Sequence, residues 1–182
     1  AATHTACGHD ESVYAFGHVF YPGRLARRVA VVTRSVFGDG HRSAGVQPIL
    51  DNHLHLDPVN GRGADAVDDF ANAGGTHLLV LNKPSWHLVG EVDGEDGFRE
   101  TFDLTVEVTK RASEKLPGRA WPVLGVHPGL ISQLLDRGYD PEAARDLMQT
   151  GLDVAGEYVA DGTALAIKSG RPHYGVTDAV WE

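Results

Sequence analysis

The chain has 182 residues, 42% of them apolar and 23% charged, enough for one ordinary domain with a sizeable core. No apolar run approaches the ~20 residues that cross a bilayer, and the first thirty residues lack the basic start and apolar block of a secretory signal. The formal net charge of −9 disfavours a broad basic surface for nucleic acid. Cys7 is the single cysteine, which removes a disulfide framework and a thiolate zinc site and fits a reducing, cytoplasmic setting.

Charge divides the chain unevenly. Residues 1–48 hold three acids and five Lys/Arg, whereas residues 49–182 hold 22 acids and 11 Lys/Arg. Residues 1–45 show neither a sustained helical period nor paired strand signals. They read as an irregular extension, possibly not native to the domain, and the domain is expected over residues 46–182.

From Pro48 the pattern becomes regular. Ile49-Leu50 reads as a short buried strand that runs into Asp51-Asn52-His53-Leu54-His55. Asp65 to Ala73 reads as a helix burying Ala66, Val67, Phe70 and Ala71, with Gly74-Gly75 as its stop. His77 to Leu81 is a continuous apolar run of the kind that forms a two-sided buried strand. Gly97 to Leu116 reads as a helix, although Leu104 to Val108 alternates like a strand.

Trp121 to Val126 is the third strand, followed by a short helix through Leu130, Ile131, Leu134 and Leu135 that ends at Gly138. Asp140 caps a longer helix with Pro141 at its first position. That helix should bury Leu147, Met148, Gly151, Ala155, Tyr158 and Val159. Thr163 to Ile167 is the fourth strand, and Asp178 to Glu182 begins another helix.

Four consecutive β-then-α units predict a parallel sheet with right-handed crossovers, in either an open doubly wound sheet or a (β/α)₈ barrel. Both architectures collect chemistry at the carboxyl ends of the strands. Strand one ends in His53 and His55, strand two in Asn82-Lys83, and strand three in His127-Pro128. Strand four ends in Lys168-Ser169-Gly170-Arg171-Pro172-His173. All four finish in groups that bind metals or anions.

His53 and His55 stand at i and i+2, a spacing that turns two side chains of a strand to one face. Two neutral imidazoles supply half of a tetrahedral zinc site. Two partly buried, hydrogen-bonded histidines are the structural alternative; the strand end and the flanking Asp51 and Asp57 favour the metal. Arg171 and His173, and Lys83 on the second strand, suit recognition of a phosphate or carboxylate, or else face solvent. His77 opens a buried strand and reads as structural, while His87 lies in a loop without an assigned role. Gly61-Arg62-Gly63-Ala64-Asp65-Ala66 matches a loose dinucleotide pattern but lacks the strand immediately before it and the acid about twenty residues on.

Together the segments ILDNHLHL at 49–56, GVHPG at 125–129 and AIKSGRPHY at 166–174 resemble a TatD-type metal-dependent hydrolase of the amidohydrolase superfamily. The acidic, lysine-poor body is similar to proteins of salt-loving archaea. The resemblance implies an α/β fold, here a partial TIM (β/α)₈-type barrel of about four units. It also implies one or two divalent cations (Zn, Mn or Mg) at the strand ends, His53 and His55 as ligands, and His127 facing the substrate. Its implied chemistry is metal-assisted hydrolysis of an ester or phosphodiester, with DNA ends or a small-molecule ester as substrate.

The family's fourth-strand glutamate is replaced by Lys168. As a carbamate formed with CO₂, Lys168 would bridge two cations, as in related amide, lactone and phosphotriester hydrolases. As an ammonium it would pair with a substrate anion or with an acid such as Asp51. The expected catalytic Asp belongs to a later strand. A barrel typically takes ~250 residues, so residues 46–182 are expected to be its N-terminal half. A catalytically incomplete remnant or anion-binding module is the non-enzymatic alternative.

Overall fold

A computed structural model describes residues 48–116 and 119–170. The extension expected over 1–45, the helix expected from Asp178, and Arg171 and His173 lie outside the described residues.

Four strands, β1 (Leu50–Leu54), β2 (His77–Leu81), β3 (Ala120–Leu124) and β4 (Ala166–Ile167), form one sheet in the order β1-β2-β3-β4. Every pairing is parallel. The chain returns between them through helices α1 (Ala66–Asn72), α2 (Glu95–Lys115), α3 (Leu130–Asp136) and α4 (Pro141–Ala160). The molecule is thus α/β, as the alternation of periods predicts. No helix among the described residues is long and apolar enough to cross a membrane.

Local signals set several boundaries. Gly74, at φ +96°, ends α1 with the bond pattern of a Schellman cap: Gly74 N–H donates to Ala71 and Gly75 N–H to Phe70. The Asp140 side chain accepts from the Ala143 N–H at 2.8 Å and Pro141 occupies the first turn, as the capping pattern requires.

The strand-like alternation inside α2 has a different cause. Thr101, Thr105 and Thr109 are buried, and each hydroxyl donates to the carbonyl four residues earlier. Bonded to its own helix, a threonine can sit on the buried face without an orphaned hydroxyl.

Two apolar clusters flank the sheet elements, and α2 contributes to both. Phe98, Phe102 and Val106 join Leu124, Val126 and residues of α3 and α4; Val108 and Ala112 join Val67, Leu78 and Val80. On α4, Leu147, Gly151 and Ala155 are buried as expected, with Ala144 and Val154 in addition. Met148, Tyr158 and Val159 pack at the margin, half-buried.

The first and last strands depart from expectation. Ile49 is 50% exposed and Leu50 37%, because β1 lies at an edge of the sheet, so the run is not a buried strand. Its pairing with β2 also shifts register between Asp51 and Leu54. The fourth strand pairs over only Ala166 and Ile167, shorter than the expected Thr163–Ile167. Its partner residues Val123 and Leu124 lie just beyond Pro122, which has no N–H to give to a ladder.

Gly151 tests the packing between α4 and α2. A Cβ there would lie 2.6 Å from a Val126 methyl and 2.7 Å from the Phe98 ring. Helix propensity alone favours Gly151→Ala by ~1 kcal/mol, but overpacking costs about 1–3 kcal/mol. We expect net destabilisation in urea unfolding; a stabilised variant would mean the α2–α4 contact is looser than described.

Candidate metal and anion site at the strand ends

The carboxyl ends of β1 and β4 bring His53, His55 and Lys168 together. Lys168 Nζ lies 2.8 Å from His53 Nδ1 and 3.2 Å from its Nε2. The rings of His53 and His55 are edge-on, with centroids 5.2 Å apart. His53 is the fourth residue of β1 and His55 follows its end, so the irregular register, rather than ideal strand alternation, sets their relation. The His53 N–H donates to Asp51 Oδ1 at 2.9 Å, which fixes the backbone at this irregularity. Lys168 therefore meets His53, and not Asp51.

Backbone groups set the tautomers of His55 and His127. His55 Nδ1 lies 3.0 Å from the Leu81 carbonyl at the end of β2. A carbonyl only accepts, so Nδ1 carries the proton and the Nε2 lone pair is left to ligate. Burial lowers the His55 pKa, the Leu81 carbonyl opposes that, and the charges of His53, Lys168 and Lys83 push it down further. The net lowering favours the neutral imidazole that metal binding requires. His127 has the opposite arrangement: its Nδ1 accepts from the Gly129 N–H at 3.0 Å, so the neutral ring carries its proton on Nε2. It is exposed and stands edge-on to Trp86, with centroids 5.4 Å apart. Such a ring donates a hydrogen bond through Nε2.

Burial also lowers the pKa of Lys168, because desolvation disfavours an ammonium. Among the described residues no carboxylate forms an ion pair with it. Lys83 is differently placed, in a 2.8 Å ion pair with Asp57. That carboxylate also accepts from the backbone N–H of Val59 and Asn60. Lys83 thus clamps the loop after β1 to the end of β2, and its charge is largely answered by Asp57. His77 stacks on Trp121 at 6.1 Å between centroids, consistent with a structural role. The His87 carbonyl accepts from the Asn60 amide at 2.9 Å.

Two features were not singled out from sequence. Asn82 joins β2 to β3 through both polar atoms of its side chain, and Gly125 lies directly against the backbone of Lys168. An amide after a strand and a glycine before a histidine are the only local signs of either.

The Asn60 N–H is the leading cause that holds the Asp57 carboxyl at about 2, with the Lys83 ammonium next. The folded value lies below the unfolded one, so this contribution is present above pH ~4 and disappears as pH falls toward 2. Asp57→Ala should cost about 0.5–1.5 kcal/mol near neutral pH, the net range for an intramolecular hydrogen bond, and flatten the stability profile between pH 4 and 2. An unchanged acid limb in chemical denaturation would remove this clamp.

No family model matches the chain, and no solved structure matches it. An uncharacterized protein of the archaeon Methanocaldococcus jannaschii is similar to it, 32% identical over 138 residues that make up 74% of this chain and 46% of the relative. The chain thus spans about half the length of that curated relative.

Proposed function

We propose that these residues form the strand-end part of a metal-dependent hydrolase of the TatD type, within a (β/α)₈-type barrel. The observation that carries the reading is the meeting of His53, His55 and Lys168 at the carboxyl ends of β1 and β4. The motif order supports it, as does a sequential parallel sheet. The matched segment of the archaeal relative, about half of its length, leaves room there for further strands.

The donor chemistry fits a divalent cation such as Zn, Mn or Mg. His55 offers Nε2, His53 offers a ring nitrogen once Lys168 releases it, and Lys168 supplies oxygen ligands if carboxylated. Among the described residues no group of three or more His, Cys, Asp or Glu side chains is arranged for a metal; Lys168, beside His53, is the side chain we take as a further donor. Carboxylation joins the neutral amine to CO₂, forms an N–C bond and releases one proton. A lowered pKa, with no ion pair to a carboxylate among the described residues, favours that neutral amine. This specific observation favours the second reading within the class: a hydrolase with a lysine carbamate, acting on an amide, lactone or phosphotriester.

A bound cation would supply a nucleophile at neutral pH and polarise the scissile bond. This chain's own contribution is orientation. The Leu81 carbonyl holds the His55 tautomer, and His127 offers a hydrogen bond from Nε2 to a substrate oxygen. Lys83, balanced by Asp57, adds little free charge, so anion recognition rests on Lys168 where it stays cationic, and on Arg171 and His173. With a net charge of −9, a small ester or a nucleic-acid end suits the site better than a long duplex. The reading places the protein in the cytoplasm.

Zinc titration decides between enzyme and anion binder. We expect stoichiometric binding to the wild type, loss of at least one equivalent in both His53→Ala and His55→Ala, and in bicarbonate the added mass of one CO₂ that Lys168→Met abolishes. Zinc binding without that mass would leave the metal site and remove the carbamate; no zinc binding at all, with phosphate binding retained, would favour the anion-binding module.

A further inference from the structure

We propose that Asn82 is the positioning residue that sets where Lys168 stands relative to the two histidines. It follows Leu81, whose carbonyl accepts from His55, so the chain turns from holding one donor to holding another within two residues. The Asn82 side chain is half-buried. Its Oδ1 accepts from the Gly125 N–H at 2.8 Å, and its Nδ2 donates to the Gly125 carbonyl at 2.9 Å. Nδ2 also donates to the Lys83 carbonyl at 3.1 Å. The Asn82 backbone N–H donates to the Val123 carbonyl at 3.3 Å, and its side-chain amide carries the β2–β3 contact on to Gly125.

Gly125 passes this constraint to β4. A Cβ on Gly125 would lie 1.7 Å from the Lys168 carbonyl oxygen, an impossible contact, so β4 closes to this distance only against a glycine. The Lys168 N–H donates to the Leu124 carbonyl at 2.8 Å on the same side. The backbone of Lys168 is therefore seated between Leu124 and Gly125, and Asn82 holds Gly125 by both its polar groups. Only a residue that donates and accepts at once satisfies that pair; a carboxylate of the same size accepts but cannot donate. Losing either bond frees the end of β3 and with it the seat of Lys168.

The role in hydrolysis rests on the proposed metal reading, but the positioning itself is measured without metal. The probe is the pair of ring ¹⁵N resonances of His53, recorded in the chelator-treated 182-residue chain, with Lys168→Met marking their values when the contact is gone. Asn82→Asp, Asn82→Ala and Gly125→Ala should all move the His53 resonances toward those of Lys168→Met while backbone amides of α4 stay in place. Zinc affinity should fall about 10–100-fold in the same variants, the usual effect of losing a partner that orients ligands.

The neutral variants guard against a purely electrostatic effect of the new carboxylate, and Asn82→Asp, equal in size, decides the matter if Asn82→Ala does not fold. Wild-type His53 resonances in folded Asn82→Asp and Gly125→Ala would overturn the proposal. If the wild type binds no zinc, the hydrolase reading fails, and the His53 shifts alone still decide the role of Asn82.

Discussion

The close approach of the Lys168 carbonyl to the bare Cα of Gly125 is the constraint on which the strand-end cluster depends. β4 pairs with β3 through only two residues, so little else fixes its end. With no side chain at 125, the two backbones meet, and the Lys168 side chain leaves its strand at a level where it reaches His53. The first and fourth strands of the sheet, separated by two others, are thereby linked through side chains. Such a link across the ends of a parallel sheet is what places donors from distant parts of the chain at one point.

Around that point the backbone decides protonation. Leu81 gives His55 a carbonyl and so a free Nε2, while Gly129 gives His127 an N–H and so a protonated Nε2. Two histidines that look alike in sequence are thus held in opposite tautomers. Asp57 and Lys83 show the same principle with charge. A lysine that faces the site in a strand-end tally is neutralised by an aspartate anchored on two backbone amides. Lys83 therefore adds little free charge to the strand ends.

The outer helices present a different surface. Arg99 pairs with both Glu95 and Glu157, and Tyr158 donates to Asp103 at 2.6 Å. These contacts are exposed and screened by solvent, so each contributes little. They tie α2 to α4 without competing with the buried contact of Phe98 and Phe102 below them.

Element type and order were legible in the sequence because they follow from local periodicity and caps. The apolar run at 77–81, the Gly74-Gly75 stop and the Asp140-Pro141 start each act within a few residues. The helix expected over 97–116 forms despite the alternation inside it, because the threonine hydroxyls bond their own helix. Also legible was the place of His53, His55 and Lys168 at the ends of β1 and β4, because parallel strands point their carboxyl ends to one side of the sheet. Three matters were decided by tertiary structure alone: that Lys168 meets His53 rather than Asp51, that Lys83 is spent on Asp57, and that Asn82 grips Gly125. Each depends on the distance between backbones far apart in sequence, and residue spacing along one chain carries no measure of that distance.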